Sequence, residues 1–158
     1  MRGLRIPALT ARGAAFLTAG TVVVLDQITK WFAVRGLSDG PVVLIDGFLR
    51  FRLVENPGSA FSLFRGGGAI LALIAIAAVV LIFVILSRIP SRWEGVALGL
   101  VLGGAIGNLL DRVFRGDGFL NGKVIDFVDF DFFPTFNVAD SAITIGAILA
   151  VLLAFRSR

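Results

Sequence analysis

The side chains able to do chemistry in this chain are few in kind. Its 158 residues include no Cys and no His. That removes thiolate nucleophiles, imidazole bases, Ser-His triads, disulfides and Cys- or His-ligated metals. Asp, Glu, Lys, Arg, Ser, Thr and Asn remain. Several of them stand inside or beside apolar stretches: Asp26 and Lys30, Asn108 with Asp111 and Arg112, Asp126, and Asn137 with Asp140. Two carboxyl groups held at one depth of a low-dielectric medium cannot both ionise easily, so one pKa rises and the other falls. The ionised member can then take a proton from water while the protonated member donates to an amide carbonyl. This is aspartic-protease chemistry, and it uses neither His, Cys nor metal.

Each of these residues also has a structural reading. Asp26 and Lys30 are four apart on one helix face, so they form an ion pair at a helix end or take part in catalysis. Gly95, Gly99, Gly103 and Gly107 recur every four residues, a spacing that lets a second helix approach closely. Gly104, Asn108 and Asp111 follow a neighbouring face with Arg112 beside them. A polar cluster there is expensive in lipid, so it faces protein or a wet cavity. It either braces helices through an Asp111–Arg112 network or acts directly in the chemistry. Glu55-Asn56-Pro57-Gly58 reads as a turn. Asn137 and Asp140 have the spacing of an N-cap and an N3 acid. Asp126, between Ile125 and Phe127, has no such explanation and no cationic neighbour in sequence.

The elements that must position these residues are membrane helices. Hydrophobic residues make up 57% of the chain and charged ones 16%, against a usual ~45–50% and ~25%. Long apolar runs on this scale could not all be buried in one small soluble core. Four segments are apolar enough to span, at residues 14–34, 69–86, 95–113 and 138–155. The second carries no charge and covers ~27 Å as a helix. Arg2, Arg5 and Arg12 precede the first, but no small-residue cleavage site follows it, so it reads as a retained anchor. With four crossings, Arg2, Arg5, Arg12, Arg88, Arg92, Arg156 and Arg158 share one side with a single acid, Glu94. That side is the cytoplasmic one. Every other acid then lies toward the outer face, which localises the chemistry.

Outside the membrane, Val42 to Ile45, the turn dipeptide Asp46-Gly47 and the β-rich stretch Phe48 to Val54 predict a small sheet within residues 35–68. Residues 114–136 mix Phe127, Phe130, Phe132, Phe133 and Phe136 with Asp126, Asp129 and Asp131, which predicts a short interfacial loop dipping its rings into lipid. The fold class expected is an all-α polytopic membrane protein. It has four transmembrane helices, a small extracytoplasmic β-sheet and that interfacial loop, in one domain over residues 1–158.

Five blocks in this order resemble the lipoprotein signal peptidase (signal peptidase II) family of membrane aspartyl peptidases. They are Asp26-Gln-Ile-Thr-Lys30, Asn56-Pro-Gly58-Ser-Ala60-Phe61-Ser62, and Gly103-Gly104-Ala105-Ile-Gly107-Asn108-Leu-Leu-Asp111-Arg112. Val124-Ile-Asp126-Phe127-Val-Asp-Phe130 and Phe136-Asn137-Val-Ala139-Asp140-Ser-Ala-Ile143 complete the set. Ser59 stands where family members often have Ala, and the stretch from Asp126 to Asp140 is compact. The resemblance implies a catalytic dyad of Asp126 and Asp140. It implies substrate-binding roles for Asn56, Gly58, Asn108 and Arg112, and supporting roles for Asp26, Lys30, Gly104, Asp111 and Asn137. The implied substrate is a bacterial prolipoprotein whose Cys carries diacylglycerol, cut just before that Cys by dyad-activated water without metal or cofactor. Membrane lipid and cyclic peptide inhibitors such as globomycin are implied partners, and nucleic acid is not. The implied state is a monomer in the bacterial cytoplasmic (inner) membrane, multi-pass, with both termini cytoplasmic and the site toward the extracytoplasmic face.

Two readings of other classes stand beside it. An ion-coupled transporter would relay protons through Asp26, Asp111 and Asp140 with Arg112 as gate, but it calls for an acid in mid-span and the acids cluster at one face. A Ser/Lys peptidase would pair Ser59 or Ser62 with Lys30. It needs a neutral Lys, and Asp26 one turn away favours the charged form.

Overall fold

The computed structural model describes residues 9–58, 67–116 and 120–156. The Ser59-to-Ser62 part of the second block, Arg2, Arg5 and Arg158 lie outside them. The elements run α1 (Ala11–Gly36), β1 (Val42–Ile45), β2 (Leu49–Asn56), α2 (Gly67–Leu86), α3 (Arg92–Phe114), β3 (Val124–Phe130), β4 (Phe133–Phe136) and α4 (Val138–Arg156).

Helix starts follow local chemistry. The Thr10 hydroxyl accepts from the Gly13 N–H at 3.0 Å and the Ser91 hydroxyl from the Trp93 N–H at 3.2 Å, each satisfying an amide that has no partner inside its helix. At the end of α2, Arg12 Nε donates to the free carbonyl of Leu86 at 3.2 Å, tying α1 to α2.

α3 is the central helix and packs against α1, α2 and α4. Its glycine stripe is the reason it can. A Cβ on Gly99 would stand 2.5 Å from the Ala15 carbonyl oxygen, and one on Gly103 would stand 2.7 Å from that of Ala19. Gly95 meets Ala11 the same way, so glycines of α3 ride on small residues of α1 at the same four-residue period. Ala15, Ala19, Ile82, Leu86 and Leu102 form the core where α1, α2 and α3 meet. Large apolar side chains elsewhere point outward, among them Leu73, Leu81 and Phe83 of α2 and Ile148, Leu152 and Phe155 of α4.

Three helices, α2 from Gly68, α3 and α4, are long and apolar enough to cross a membrane. α1 is longer, at 26 residues, but it carries Arg12, Asp26, Lys30 and Arg35.

The sheet is larger than the sequence indicates. Its four antiparallel strands lie in the order β1-β2-β3-β4. The stretch expected as a short interfacial loop, residues 114–136, supplies half of them. Phe127 is a core residue under the sheet, packed with Ile125 against Ala33 of α1. Phe130 stacks on Phe136 with ring centroids 6.1 Å apart and meets Phe48 edge-on at 5.5 Å. Phe132 and Phe133 remain exposed. The β1–β2 turn holds Gly47 at φ +65°, where glycine avoids the strain a side chain would carry.

Candidate active site

Asp126 sits on β3 opposite Val54 of β2, and Asp140 in the first turn of α4. Two asparagines reach Asp126: Asn56 Nδ2 donates to Oδ2 at 3.0 Å and Asn137 Nδ2 to Oδ1 at 2.6 Å. Asn56 can aim its amide nitrogen this way because its side-chain oxygen is engaged by the Gly58 N–H at 2.9 Å, in a turn that places Gly58 at φ +94°.

Asp140 is reached by the same Asn137. Its side-chain oxygen accepts from the Asp140 N–H at 2.9 Å, and its own N–H donates to Asp140 Oδ2 at 3.3 Å, a reciprocal cap at the start of α4. Asn108 Nδ2 donates to Asp140 Oδ1 at 2.8 Å. Asn137 is therefore both a helix cap and a residue bonded to both acids, through its side chain to the Asp126 carboxyl and through its backbone N–H to that of Asp140, which capping alone does not reveal.

Burial pushes the Asp126 carboxyl up from the ordinary 3.8 to about 6. The bond from Asn56 opposes the rise and the charge of Asp140 adds to it.

Behind the two acids lies a sealed ionic cluster. Lys30 Nζ is 2.8 Å from Asp26 Oδ2 and 2.7 Å from Asp111 Oδ2, with all three side chains fully buried. Its third contact is the Asn108 side-chain oxygen at 3.0 Å. Arg115, one turn beyond Asp111, reaches Oδ1 of that acid at 2.8 Å. Two acids and two bases thus balance, with Asp26, Lys30 and Asp111 in the dry interior and Arg115 at its wet edge, 31% exposed. Gln27 completes the cluster, donating to Asp26, to Asp111 and to the Gly107 carbonyl at 3.2–3.3 Å. The glycines have a part here too. A Cβ on Gly107 would stand 2.6 Å from Asp26 Oδ2, and one on Gly104 would collide with the Ala139 carbonyl oxygen at the start of α4.

One expectation is corrected. Asp111 does not brace Arg112; it pairs with Lys30 of α1 and with Arg115. Arg112 Nη1 donates to the Asn108 carbonyl at 3.2 Å, and among the described residues the guanidinium forms no ion pair. The charges of Asp140, Asp111 and Asp126 surround it. Gln27 and Arg115 were missed in the sequence. Arg115 had a signal, its i, i+4 spacing from Asp111; Gln27 had none.

A groove of about 490 Å³ runs from Asp140 past Ser141, Thr144 and Ile145 of α4 to Phe133 and Phe136 of β4. An apolar trough ending at a carboxyl group can hold an extended apolar chain beside the acids. Among the described residues no group of three or more acids is arranged to hold a metal ion.

Residues 18–156 match the family described as signal peptidase (SPase) II. The lipoprotein signal peptidase of Rhodococcus jostii (strain RHA1) is 48% identical over 139 residues, which is 87% of this chain and 70% of that protein. That of Mycobacterium avium (strain 104) is 48% identical, covering 85% and 75%. That of Mycobacterium tuberculosis (strain ATCC 25618 / H37Rv) is 45% identical over 149 residues, covering 93% and 74%. A bacterial membrane enzyme solved by the in meso method at 1.9 Å superposes with a TM-score of 0.78 at 30% identity, over 92% of this chain and 95% of that one.

Proposed function

Because the chain belongs to the signal peptidase (SPase) II family of membrane peptidases, we propose that it removes signal peptides from bacterial prolipoproteins as an aspartyl endopeptidase, cutting just before a diacylglyceryl-modified Cys. The observation that carries the mechanism is the shared asparagine: Asn137 bonds the carboxyl of Asp126 and caps and bonds Asp140. It holds two acids from different elements at one site.

In this mechanism Asp126, raised by burial, brings the proton. Asp140 takes a proton from water as the water oxygen attacks the scissile carbonyl carbon, while Asp126 protonates the carbonyl oxygen. The resulting gem-diol collapses with proton transfer to the leaving nitrogen, the C–N bond breaks, and the lipidated Cys departs as the new N-terminus. Asn56, Gly58, Asn108 and Arg112 position the substrate. The planar fork of Arg112 suits carbonyl oxygens of an extended chain. Globomycin-like cyclic peptides would occupy the same site.

The same reading makes α1 a fourth span. Its charged pair, Asp26 and Lys30, is sealed inside, while Phe16, Leu17, Val24, Leu25, Ile28 and Phe32 face outward. A helix with buried, mutually neutralised charges and an apolar exterior is compatible with lipid. Arg12 at the start of α1, Arg88 after α2, Arg92 at the start of α3 and Arg156 at the end of α4 support a topology with both termini cytoplasmic. The dyad then lies at the outer face of the bacterial cytoplasmic (inner) membrane, in a monomeric multi-pass enzyme.

The test is a purified-protein assay on a prolipoprotein peptide carrying diacylglyceryl-Cys, with products identified by mass. The expected products are the intact signal peptide and a fragment beginning at the lipidated Cys, at a rate insensitive to chelators and to serine-directed reagents. Cleavage at another bond, or loss of activity with chelator, contradicts the proposal.

A further inference from the structure

Both carboxylates of the buried cluster accept a backbone N–H from outside their own helix, and each of those amides lies next to a catalytic acid. Asp26 Oδ1 accepts the N–H of Ala139, the residue before Asp140, at 3.0 Å. Asp111 Oδ2 accepts the N–H of Ile125, the residue before Asp126, at 3.2 Å. Lys30 joins the two, at 2.8 Å from Asp26 and 2.7 Å from Asp111. Its third N–H goes to the Asn108 oxygen at 3.0 Å, which orients the other end of that amide toward Asp140 Oδ1 at 2.8 Å.

We propose that Asp26, Lys30 and Asp111 form a calliper that sets the separation of the Asp126 and Asp140 carboxyl groups. They are positioning residues: none touches substrate in this arrangement, and each acts through the amide beside a catalytic acid or through Asn108. The inference rests on the dyad reading above. Three features make the cluster a gauge rather than mere glue between helices. An ammonium has three N–H donors, and here each is committed to a different arm. The two carboxylate arms end on backbone, so the distance they hold is that between β3 and the first turn of α4. The side chains of Asp26, Lys30 and Asp111 are fully buried, so no water substitutes for a missing contact.

A gauge and a glue differ in what their loss does to titration. The two apparent pKa values of a carboxyl dyad are driven apart by proximity, so a wider gap brings them together. Among the described residues, the charges around the dyad are those of Lys30 and Asp26 on α1 and of Asp111 and Arg112 on α3, with Arg115 behind Asp111. Removing one of those charges without moving the acids shifts both limbs of a pH–rate profile in the same direction. Opening the calliper moves the limbs toward each other.

The experiment measures kcat, KM and the pH profile of kcat for Asp26→Asn and Asp111→Asn. Melting temperatures are recorded alongside, and all assays run below them. Asp26→Asn leaves one oxygen where the arm uses two, and Asp111→Asn replaces the charged oxygen shared by Lys30 and the Ile125 N–H with a neutral one and turns an amide N–H toward Arg115. The expected result is a fall in kcat on the order of 10- to 100-fold, as for a misplacement of ~1 Å, with KM little changed and converging limbs. Lys30→Arg, which keeps the charge but cannot present three N–H groups around one nitrogen, should show the same converging limbs, and a parental profile in that variant counts against the calliper. If either single variant does not fold, the paired change Asp26→Asn with Lys30→Met keeps the cluster neutral and serves the same purpose. Unchanged kcat, or a fall in kcat with limbs that keep their separation, whether fixed or shifted in the same direction, overturns the proposal. Asp126→Asn and Asp140→Asn run alongside. Activity in those variants would remove the dyad reading itself, whereas inactive dyad variants beside unaffected calliper variants would remove only this inference.

Discussion

Replacing Asp126 by Asn should make this peptidase inactive and, at neutral pH, more resistant to heat. The carboxyl titrates near 6 in the folded chain, against an ordinary 3.8, because it is buried. Below pH ~3 it is protonated in both the folded and unfolded states and contributes nothing to the pH dependence. As pH rises to 6 and beyond, the unfolded state releases its proton first, and the folded state carries a cost of roughly 3 kcal/mol once both are ionised. Asn bears no such cost at any pH. It does lose a contact, since its single side-chain oxygen cannot accept from both Asn56 and Asn137. That loss is about 1–2 kcal/mol and does not vary with pH. The variant should therefore be somewhat less stable than the parent near pH 4 and more stable at pH 8. About 2.5 kcal/mol of the ionisation cost develops between pH 4 and pH 8, so at about 2–4 °C per kcal/mol for a chain of this size the difference in melting temperature should swing by roughly 5–10 °C. Thermal unfolding in detergent at a series of pH values measures it. A melting-temperature difference that stays flat from pH 4 to pH 8, or moves against Asn, would refute the assignment of a buried, raised carboxyl at this position.

Three further outcomes follow from other contacts. Arg112→Lys keeps the charge but loses the planar fork, so turnover should fall on the order of 100-fold with a near-parental melting temperature; a variant that melts early yet cleaves normally below its melting point contradicts a positioning role. Asp129 is held well below the usual carboxylate range by Arg52 first, then by Thr135 and Arg50. The stability this adds is present above about pH 4 and lost as pH falls further, so the melting gap between parent and Asp129→Asn should close on acidification. High salt should narrow it as well, because both arginines are more than a third exposed. Gly104→Ala drives a methyl into the Ala139 carbonyl beside Asp140 and should reduce both activity and stability, the latter by about 1–3 kcal/mol. Gly20→Ala, which meets nothing within 4 Å, should change neither.

The helices and their central seam are legible in the sequence because packing there obeys a period. Glycine at every fourth residue of α3 meets Ala11, Ala15 and Ala19 at the same period on α1. Asp26 and Lys30 are legible as an ion pair because they are one turn apart. The second half of the sheet is not. Val124, Ile125, Asp126, Phe127 and Asp129 of β3 are all buried, so the strand shows no alternation between a wet and a dry face, and its Phe-Asp mixture reads as a lipid-dipping loop. Asp111 misleads for a different reason. Its sequence neighbour is Arg112, but side chains at adjacent helix positions diverge. The partners it finds are Arg115 one turn on and Lys30 on another helix. The double service of Asn137 is hidden in the same way. Capping is local and can be read from spacing, whereas its bond to Asp126 depends on where β3 comes to lie.

The dyad is tested most directly by turnover of a diacylglyceryl-modified prolipoprotein by three inserted, folded variants: Asp126→Asn, Asp140→Asn and the two together. Two acids that act as one unit predict no cleavage above background from either single variant, and a double variant no worse than either. Substantial turnover by Asp126→Asn or Asp140→Asn, or losses that multiply in the double variant, would contradict it.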